Sequence, residues 1–128
     1  MAASPAILLV EDDAAVRRLL ERTLSRHGWK ILLAGGGIEA LALALQYDGA
    51  IPLAIVDLVM PGVGGLDLGN QLRMDRPSTK VLYISGYDSI ESNVLERAAP
   101  WIILRKPFTA AELLDRVEGL LRGEASGV

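Results

Sequence analysis

Short apolar runs alternate with amphipathic segments along the chain, and this alternation occurs five times. The apolar runs lie at residues 6–10, 31–34, 53–56, 81–84 and 101–104. Their length and their lack of polar positions are typical of strands that are buried on both faces of a parallel sheet. Each run is followed by a segment with apolar residues at helical spacing, as at Val16, Leu20 and Leu24. The pattern therefore predicts five strand and helix units.

The five predicted helices differ in how clearly the sequence marks them. Apolar residues at helical spacing indicate a first helix around 16–24, a second around 38–45 and a fifth around 113–121. Segment 66–74 predicts a shorter third helix, and segment 89–99 predicts a weakly amphipathic fourth one that ends before Pro100. Right-handed connections between parallel strands place helices on both sides of the sheet. We therefore predict an α/β fold, a doubly wound five-stranded parallel sheet flanked by helices on both faces.

Composition and charge narrow the class of protein. A chain of 128 residues is expected to form one domain, here with its core at about 6–122. The net charge of −3 argues against a protein that binds nucleic acid by charge alone. With no cysteine, disulfides and thiolate metal sites are excluded. The first apolar run meets Glu11 too soon for a signal peptide or a membrane span, so we expect a cytoplasmic protein with no membrane partner.

Polar side chains follow four of the five predicted strands, where a doubly wound sheet binds its ligands. They are Glu11 and Asp12 after the first strand, Asp57 after the third, Ser85 after the fourth and Lys106 after the fifth. Three acids against one lysine leave an unfavourable negative charge, which a divalent cation would neutralise. Oxygen ligands without a nearby His or Cys favour Mg²⁺ or Mn²⁺. Such a cation attracts phosphate oxygens, so the edge is suited to phosphoryl transfer onto a carboxylate.

Four segments of the chain resemble the receiver domain of two-component response regulators. They are ILLVEDD, IVDLVMPGVGG, VLYISGY and LRKPF, and in this order they span nearly the whole sequence. The resemblance implies a single receiver domain over residues 1–128, the flavodoxin-like strand order 2-1-3-4-5 and a cis peptide bond between Lys106 and Pro107. The SGY and KPF segments look most like receivers attached to hybrid sensor histidine kinases.

The resemblance also implies a role for each polar residue at the sheet edge. It makes Asp57 the phosphoacceptor, Glu11 and Asp12 the acidic metal pair, Val59 a metal ligand through its carbonyl, Ser85 the switch hydroxyl and Lys106 the phosphate-binding lysine. The expected partner is a sensor histidine kinase or a histidine phosphotransfer domain that donates its phosphoryl group to Asp57 in the presence of Mg²⁺. The domain is then a signalling module that assists its own phosphorylation and dephosphorylation, rather than an enzyme.

Ile103 departs from the family pattern. Receivers usually carry Tyr or Phe three residues before the lysine, and isoleucine offers no rotating ring and no phenolic hydroxyl. This keeps open the alternative of a receiver-like interaction module that takes no phosphate. A phosphatase with an aspartyl nucleophile is a disfavoured alternative, because such an enzyme would need a general acid near Asp57 and a cap domain. A flavin-binding protein would not place acids where its phosphate binds.

Further expectations concern the neighbours of the site and the output. Asp13 is predicted to cap the first helix, and Arg17 with Arg18 is predicted to form a solvated helix face. Val59 and Tyr87 are expected to flank the path of the water that hydrolyses an acyl phosphate, and Val59 cannot hydrogen-bond that water. Only GEASGV follows Arg122, so we expect output through a partner protein, not through direct nucleic-acid binding. The sequence leaves open whether phosphorylation leads the domain to form a dimer.

Overall fold

A five-stranded parallel sheet forms the centre of the computed structural model, which describes residues 3–60, 62–86, 90–99 and 102–123. Strands and helices alternate within these residues in the order β1 (Ala6–Val10), α1 (Ala14–Ser25), β2 (Lys30–Ala34), α2 (Gly37–Gln46), β3 (Leu53–Asp57), α3 (Gly65–Asp75), β4 (Lys80–Ser85), α4 (Ile90–Ala98), β5 (Ile103–Arg105) and α5 (Ala110–Leu121). The strand order is β2-β1-β3-β4-β5, and neighbouring strands pair in parallel. The predicted fold class and strand order are confirmed.

Two apolar layers cover the two faces of the sheet. Side chains that alternate along β1 point to opposite faces, so Leu8 packs with residues of α2 and α3 while Ile7 packs with residues of α1 and α5. The central strands β1 and β3 are buried at every position. The prediction of strands buried on both faces is wrong for β2, which is partly exposed because it forms an edge of the sheet.

The strand boundaries differ from the predicted ones at the site edge. Both β3 and β4 continue one residue further than their apolar runs, so that Asp57 and Ser85 are the last residues of their strands. The last strand begins at Ile103, and the N–H of Ile102 before it bonds to the Ala99 carbonyl at 3.1 Å. The predicted start of this strand at Trp101 lies outside the described residues.

Two of the apolar residues that predicted α2, Ile38 and Leu45, do not face the core, whereas Leu41 packs against it. Ile38 and Leu45 are 79% and 74% exposed, whereas the buried face of this helix consists of Gly37, Ala40 and Ala44. A Cβ atom on residue 37 would lie 2.8 Å from the Cβ atom of Val63. The small residues therefore let the helix approach its neighbours closely, while Ile38 and Leu45 are turned toward solvent.

The predicted cap of α1 is confirmed. Asp13 Oδ1 accepts hydrogen bonds from the N–H groups of Ala15 and Val16, at 2.9 and 3.1 Å. These bonds satisfy two of the free donors at the start of the helix, and they fix the loop that carries Glu11 and Asp12. In the part of the chain that the structure describes, no helix has the length and hydrophobicity needed to cross a membrane.

Candidate functional site

The five polar residues predicted at the sheet edge all lie at the carboxyl ends of their strands. Glu11 and Asp12 follow β1, and Asp57 ends the adjacent β3. Ser85 ends β4 on the other side of β3, and Lys106 follows β5. Parallel pairing therefore brings residues from four separate segments to one edge.

Three carboxylates form a cluster at this edge. Glu11, Asp12 and Asp57 each offer one oxygen atom, and these atoms lie within 4.8 Å of one another. Glu11 and Asp57 are only 2% and 6% exposed, and Asp12 is exposed. A set of hard oxygen donors with one solvent-facing member matches the preference of Mg²⁺, which binds a few carboxylates and keeps several waters. The chemistry of the cluster thus fits the predicted cation.

Lys106 connects the acidic cluster to β5. Its Nζ atom lies 3.4 Å from Glu11 Oε1 and 3.8 Å from Asp57 Oδ2. The other oxygen of Asp57, Oδ1, accepts the N–H of Val59 at 3.0 Å. Asp57 is therefore held by a main-chain donor on one side, and its second oxygen faces the lysine.

The environment of Glu11 raises the pKa of its carboxyl group from 4.5 to about 7. Burial is the main cause, because it disfavours the charged carboxylate. A hydrogen bond with the Asp57 carboxyl and the negative charge of that group raise the pKa further. The Asp13 N–H and the Lys106 ammonium lower it, but not enough to compensate. The buried Glu11 carboxylate is therefore disfavoured in its charged form, in line with a site that holds three acids and one lysine.

An open pocket of about 460 Å³ lies beside Asp57. It is lined by Asp57, Val59, Gly86, Lys106 and Pro107. Its volume exceeds that of several waters, at about 30 Å³ each, so the pocket has room for a phosphoryl group beside Asp57 and Lys106. The Lys106-Pro107 peptide bond is cis, as expected. Val59 is 46% exposed at the pocket wall, whereas Tyr87, its predicted counterpart, lies outside the described residues.

Ser85 belongs to the edge, but its hydroxyl points to a helix. Its carbonyl accepts the Lys106 N–H at 2.8 Å, which fixes the backbone beside the lysine. Its Oγ atom lies 2.6 Å from Oγ of Ser92 on α4, and both side chains are fully buried. Ser85 is not among the residues that line the pocket. The predicted switch hydroxyl is therefore adjacent to the site and bonded to α4.

Ile103 occupies the position where the family pattern has an aromatic ring. It is buried in the core and pairs with Tyr83 on β4. The Tyr83 side chain is fully buried on the same face of the sheet. The aromatic side chain of this region is thus on the neighbouring strand, packed beneath α3 rather than at the surface.

Arg17 was not identified from the sequence as a residue that supports the site. The prediction of a solvated face holds for Arg18, which is exposed, and is wrong for Arg17, whose Nη1 donates to the Glu11 carbonyl at 2.8 Å. This bond ties α1 to the end of β1. The sequence offers no direct signal for this contact, because the neighbouring Arg18 has the same side chain and is exposed.

The chain belongs to the response regulator receiver domain family. Residues 7–118 match the model of that family. Membership agrees with the observed strand order and with the acidic cluster beside a lysine. The protein is therefore a receiver domain of the two-component type, which is a signalling domain.

Two curated relatives show the contexts in which similar domains occur. The chain is 40% identical over 119 residues to the response regulator MprA of Mycobacterium leprae (strain TN), covering 91% of the chain and 50% of that protein. It is 34% identical over 123 residues to the sensor kinase CckA of Brucella abortus (strain 2308), covering 94% of the chain and 13% of the kinase. The chain thus spans half the length of one relative and a small part of the other.

A solved structure extends the comparison to a bound state. The response regulator TrrA of Thermotoga maritima, in complex with Mg²⁺-BeF, superposes with a TM-score of 0.77 at 31% identity. The match covers 91% of this chain and 98% of that one. A receiver of the same fold therefore holds Mg²⁺ and a fluoride complex of beryllium.

Proposed function

We propose that this domain accepts a phosphoryl group on Asp57 from a phosphohistidine of a sensor histidine kinase or a histidine phosphotransfer domain, with Mg²⁺, and signals by a change of conformation. The observation that carries the proposal is the position of Asp57, a buried carboxylate that faces both Lys106 and an open pocket. In this proposal, residues 1–128 form one cytoplasmic receiver domain with its core at about 6–122.

The proposed transfer is an in-line displacement at phosphorus. An oxygen of Asp57 forms the new O–P bond while the P–N bond to the donor imidazole breaks, and the imidazole nitrogen keeps the electron pair and takes up a proton. Lys106 offsets negative charge on the phosphoryl oxygens as the bond forms. The Val59 N–H holds the second Asp57 oxygen, which fixes the plane of the carboxylate.

The residues that would hold Mg²⁺ are the carboxylates of Glu11, Asp12 and Asp57 and the carbonyl of Val59. Bound Mg²⁺ supplies positive charge for the phosphoryl oxygens and screens the three carboxylates from one another. The positions of the carboxylates support this assignment, because one oxygen of each lies within 4.8 Å of the others and Lys106 supplies one positive charge against three acids. The Mg²⁺-BeF complex of the similar protein TrrA supports it independently.

The test is to label the protein with acetyl phosphate. We expect Mg²⁺-dependent addition of one phosphoryl group, measured by intact-protein mass spectrometry, and its loss in Asp57→Asn. Asp115→Asn, on the exposed side of α5, is the matched control and should be labelled like the wild type. Labelling of Asp57→Asn would show that the phosphoacceptor assignment is wrong, and full labelling in EDTA would show that the transfer does not need Mg²⁺. An absence of labelling in every variant would favour the alternative of an interaction module that takes no phosphate, which the buried Ile103 supports.

A further inference from the structure

We propose that Arg17 of α1 is a positioning residue for the magnesium site, because its guanidinium fixes the peptide group that joins the two acids Glu11 and Asp12. The inference rests on the proposed function, since it concerns how the same site binds its cation. It stands on the 2.8 Å hydrogen bond that Arg17 Nη1 donates to the Glu11 carbonyl.

Glu11 is held by contacts to its main chain and to its side chain. Its N–H donates to the Ala34 carbonyl of β2 at 3.1 Å. Its Oε2 atom accepts the Asp13 N–H at 3.2 Å, and its Oε1 atom lies 3.4 Å from Lys106 Nζ. The carbonyl is the remaining polar group of this residue, and it accepts the Arg17 guanidinium. The bond from Arg17 therefore completes the set of contacts that fixes Glu11.

The Glu11 carbonyl also determines how the chain enters Asp12. A peptide group is planar, so the Glu11 carbonyl and the Asp12 N–H lie in one plane, and fixing the first fixes the second. Asp12 is exposed, so packing does little to orient its carboxylate, although that carboxylate belongs to the cluster with Glu11 and Asp57. Its direction depends on the main chain instead. The Arg17 bond holds that main chain on the β1 side of Asp12.

The turn after β2 leaves room for the Arg17 guanidinium. Gly35 follows this strand, and a Cβ atom on it would lie only 3.3 Å from Arg17 Nη1. The Gly35 N–H donates to Glu39 Oε1 at 2.5 Å, so the turn is itself fixed beside the arginine. Arg17 is partly buried in this position, whereas its neighbour Arg18 is exposed. The guanidinium thus occupies a defined place between the ends of β1 and β2.

The charge of Arg17 makes the direction of the effect informative. A positive charge beside a cluster that binds Mg²⁺ opposes the cation. If Arg17 acted through its charge alone, its removal would strengthen Mg²⁺ binding. If it acts by positioning the two acids, its removal weakens Mg²⁺ binding, since loss of a group that orients metal ligands typically lowers the affinity about 10- to 100-fold. The two effects have opposite signs.

The test compares Arg17→Met with Arg18→Met by calorimetric titration with Mg²⁺. Both substitutions remove one positive charge from the same helix and keep a long side chain of good helix propensity, so both variants are expected to fold. We expect Arg17→Met to bind Mg²⁺ about tenfold more weakly than the wild type. Arg18→Met, at an exposed position, should bind it like the wild type. Arg17→Lys should stay within about threefold of the wild type, because an ammonium group can donate to the same carbonyl.

Two further measurements distinguish positioning from a purely structural role. Urea unfolding in EDTA gives the stability of each variant. Acetyl phosphate labelling over a range of Mg²⁺ gives the half-maximal Mg²⁺ concentration and the maximal rate. In Arg17→Met we expect the half-maximal concentration to rise about tenfold while the maximal rate stays that of the wild type.

Three results would overturn the inference. The first is an Arg17→Met variant that binds Mg²⁺ as tightly as the wild type or more tightly, whatever its stability. The second is equal weakening by Arg18→Met, and the third is an Arg17→Lys variant as weak as Arg17→Met. A wild-type protein that binds no Mg²⁺ would instead contradict the proposed function itself.

Discussion

Asp12 and Asp13 are adjacent in sequence but serve different purposes at the residue scale. Asp13 Oδ1 accepts two main-chain N–H groups of α1, whereas Asp12 shares the carboxylate cluster with Glu11 and Asp57. We expect Asp12→Ala to weaken Mg²⁺ binding at least tenfold with little change in folding. Asp13→Ala should instead lower the free energy of unfolding by about 1 kcal/mol, the usual value of such a cap.

Both quantities are measured on both variants, so each variant is the control for the other. Mg²⁺ titration by calorimetry gives the affinity, and urea unfolding in EDTA gives the stability. Equal Mg²⁺ affinities of the two variants would contradict the separation of roles between these neighbouring acids.

Val59 bears on the lifetime of an acyl phosphate. Its side chain is exposed at the wall of the pocket that contains Asp57 and Lys106, and it cannot hydrogen-bond a water. Hydrolysis needs a water held in line with the O–P bond, so a polar side chain at this position should accelerate it. We expect Val59→Asn to lose phosphate about tenfold faster than the wild type, since one well-placed hydrogen bond corresponds to a change of that order.

The measurement follows loss of the acyl phosphate after the donor has been removed, at fixed Mg²⁺. Val94→Asn introduces the same polar side chain at an exposed position of α4 and should have the wild-type rate. If the wild type loses phosphate as fast as Val59→Asn, then Val59 does not limit attack by water.

At the scale of elements, α3 and β4 meet at a contact that tolerates no additional atom. A Cβ atom on Gly69 would lie 2.0 Å from the hydroxyl oxygen of Tyr83 and 2.7 Å from its Cζ atom. Within the described residues this hydroxyl has no hydrogen-bond partner, although it is fully buried. We expect Gly69→Ala to lower the free energy of unfolding by about 1–3 kcal/mol, because overpacking forces the helix or the ring to move.

The Tyr83→Phe substitution distinguishes the clash with the Tyr83 hydroxyl from other effects of replacing Gly69. By itself it should be neutral or stabilising, because it removes an unpaired buried hydroxyl. In the Tyr83→Phe background, Gly69→Ala should be less damaging, because the nearest of the clashing atoms is gone. Urea unfolding of the four proteins forms a double-mutant cycle, and an additive result would rule out this contact as the cause.

At the scale of the whole molecule, the sequence predicts the sheet and the site edge better than it predicts the sides of the helices. The positions of the strand ends can be predicted, because parallel pairing brings them to one edge of the sheet however the helices are rotated. Asp57 and Lys106 are therefore predicted to lie close together, and they do. The rotation of a helix about its axis depends on partners that are distant in sequence. This is why Ile38 faces solvent, and why the contact of Arg17 with Glu11 and that of Ser92 with Ser85 have no direct signal in the pattern.

The stability of the metal-free domain should depend on pH through Glu11. Its pKa is raised from 4.5 to about 7 in the folded protein, so the folded state binds more protons than the unfolded state between these values. The free energy of unfolding therefore falls as pH rises through this window, and it is constant with respect to Glu11 above and below it. The interval between 4.5 and about 7 corresponds to a loss on the order of 3 kcal/mol.

Glu11→Gln isolates this contribution, because the amide occupies nearly the same space and does not titrate. In EDTA, the stability of Glu11→Gln relative to the wild type should increase by about 3 kcal/mol between pH 4.5 and pH 7.5, measured by urea unfolding at each pH. Saturating Mg²⁺ should reduce the pH dependence of the wild type, because a bound cation favours the charged carboxylate. Parallel pH profiles of the two proteins in EDTA would show that Glu11 is charged equally in the folded and unfolded states, contrary to the raised pKa.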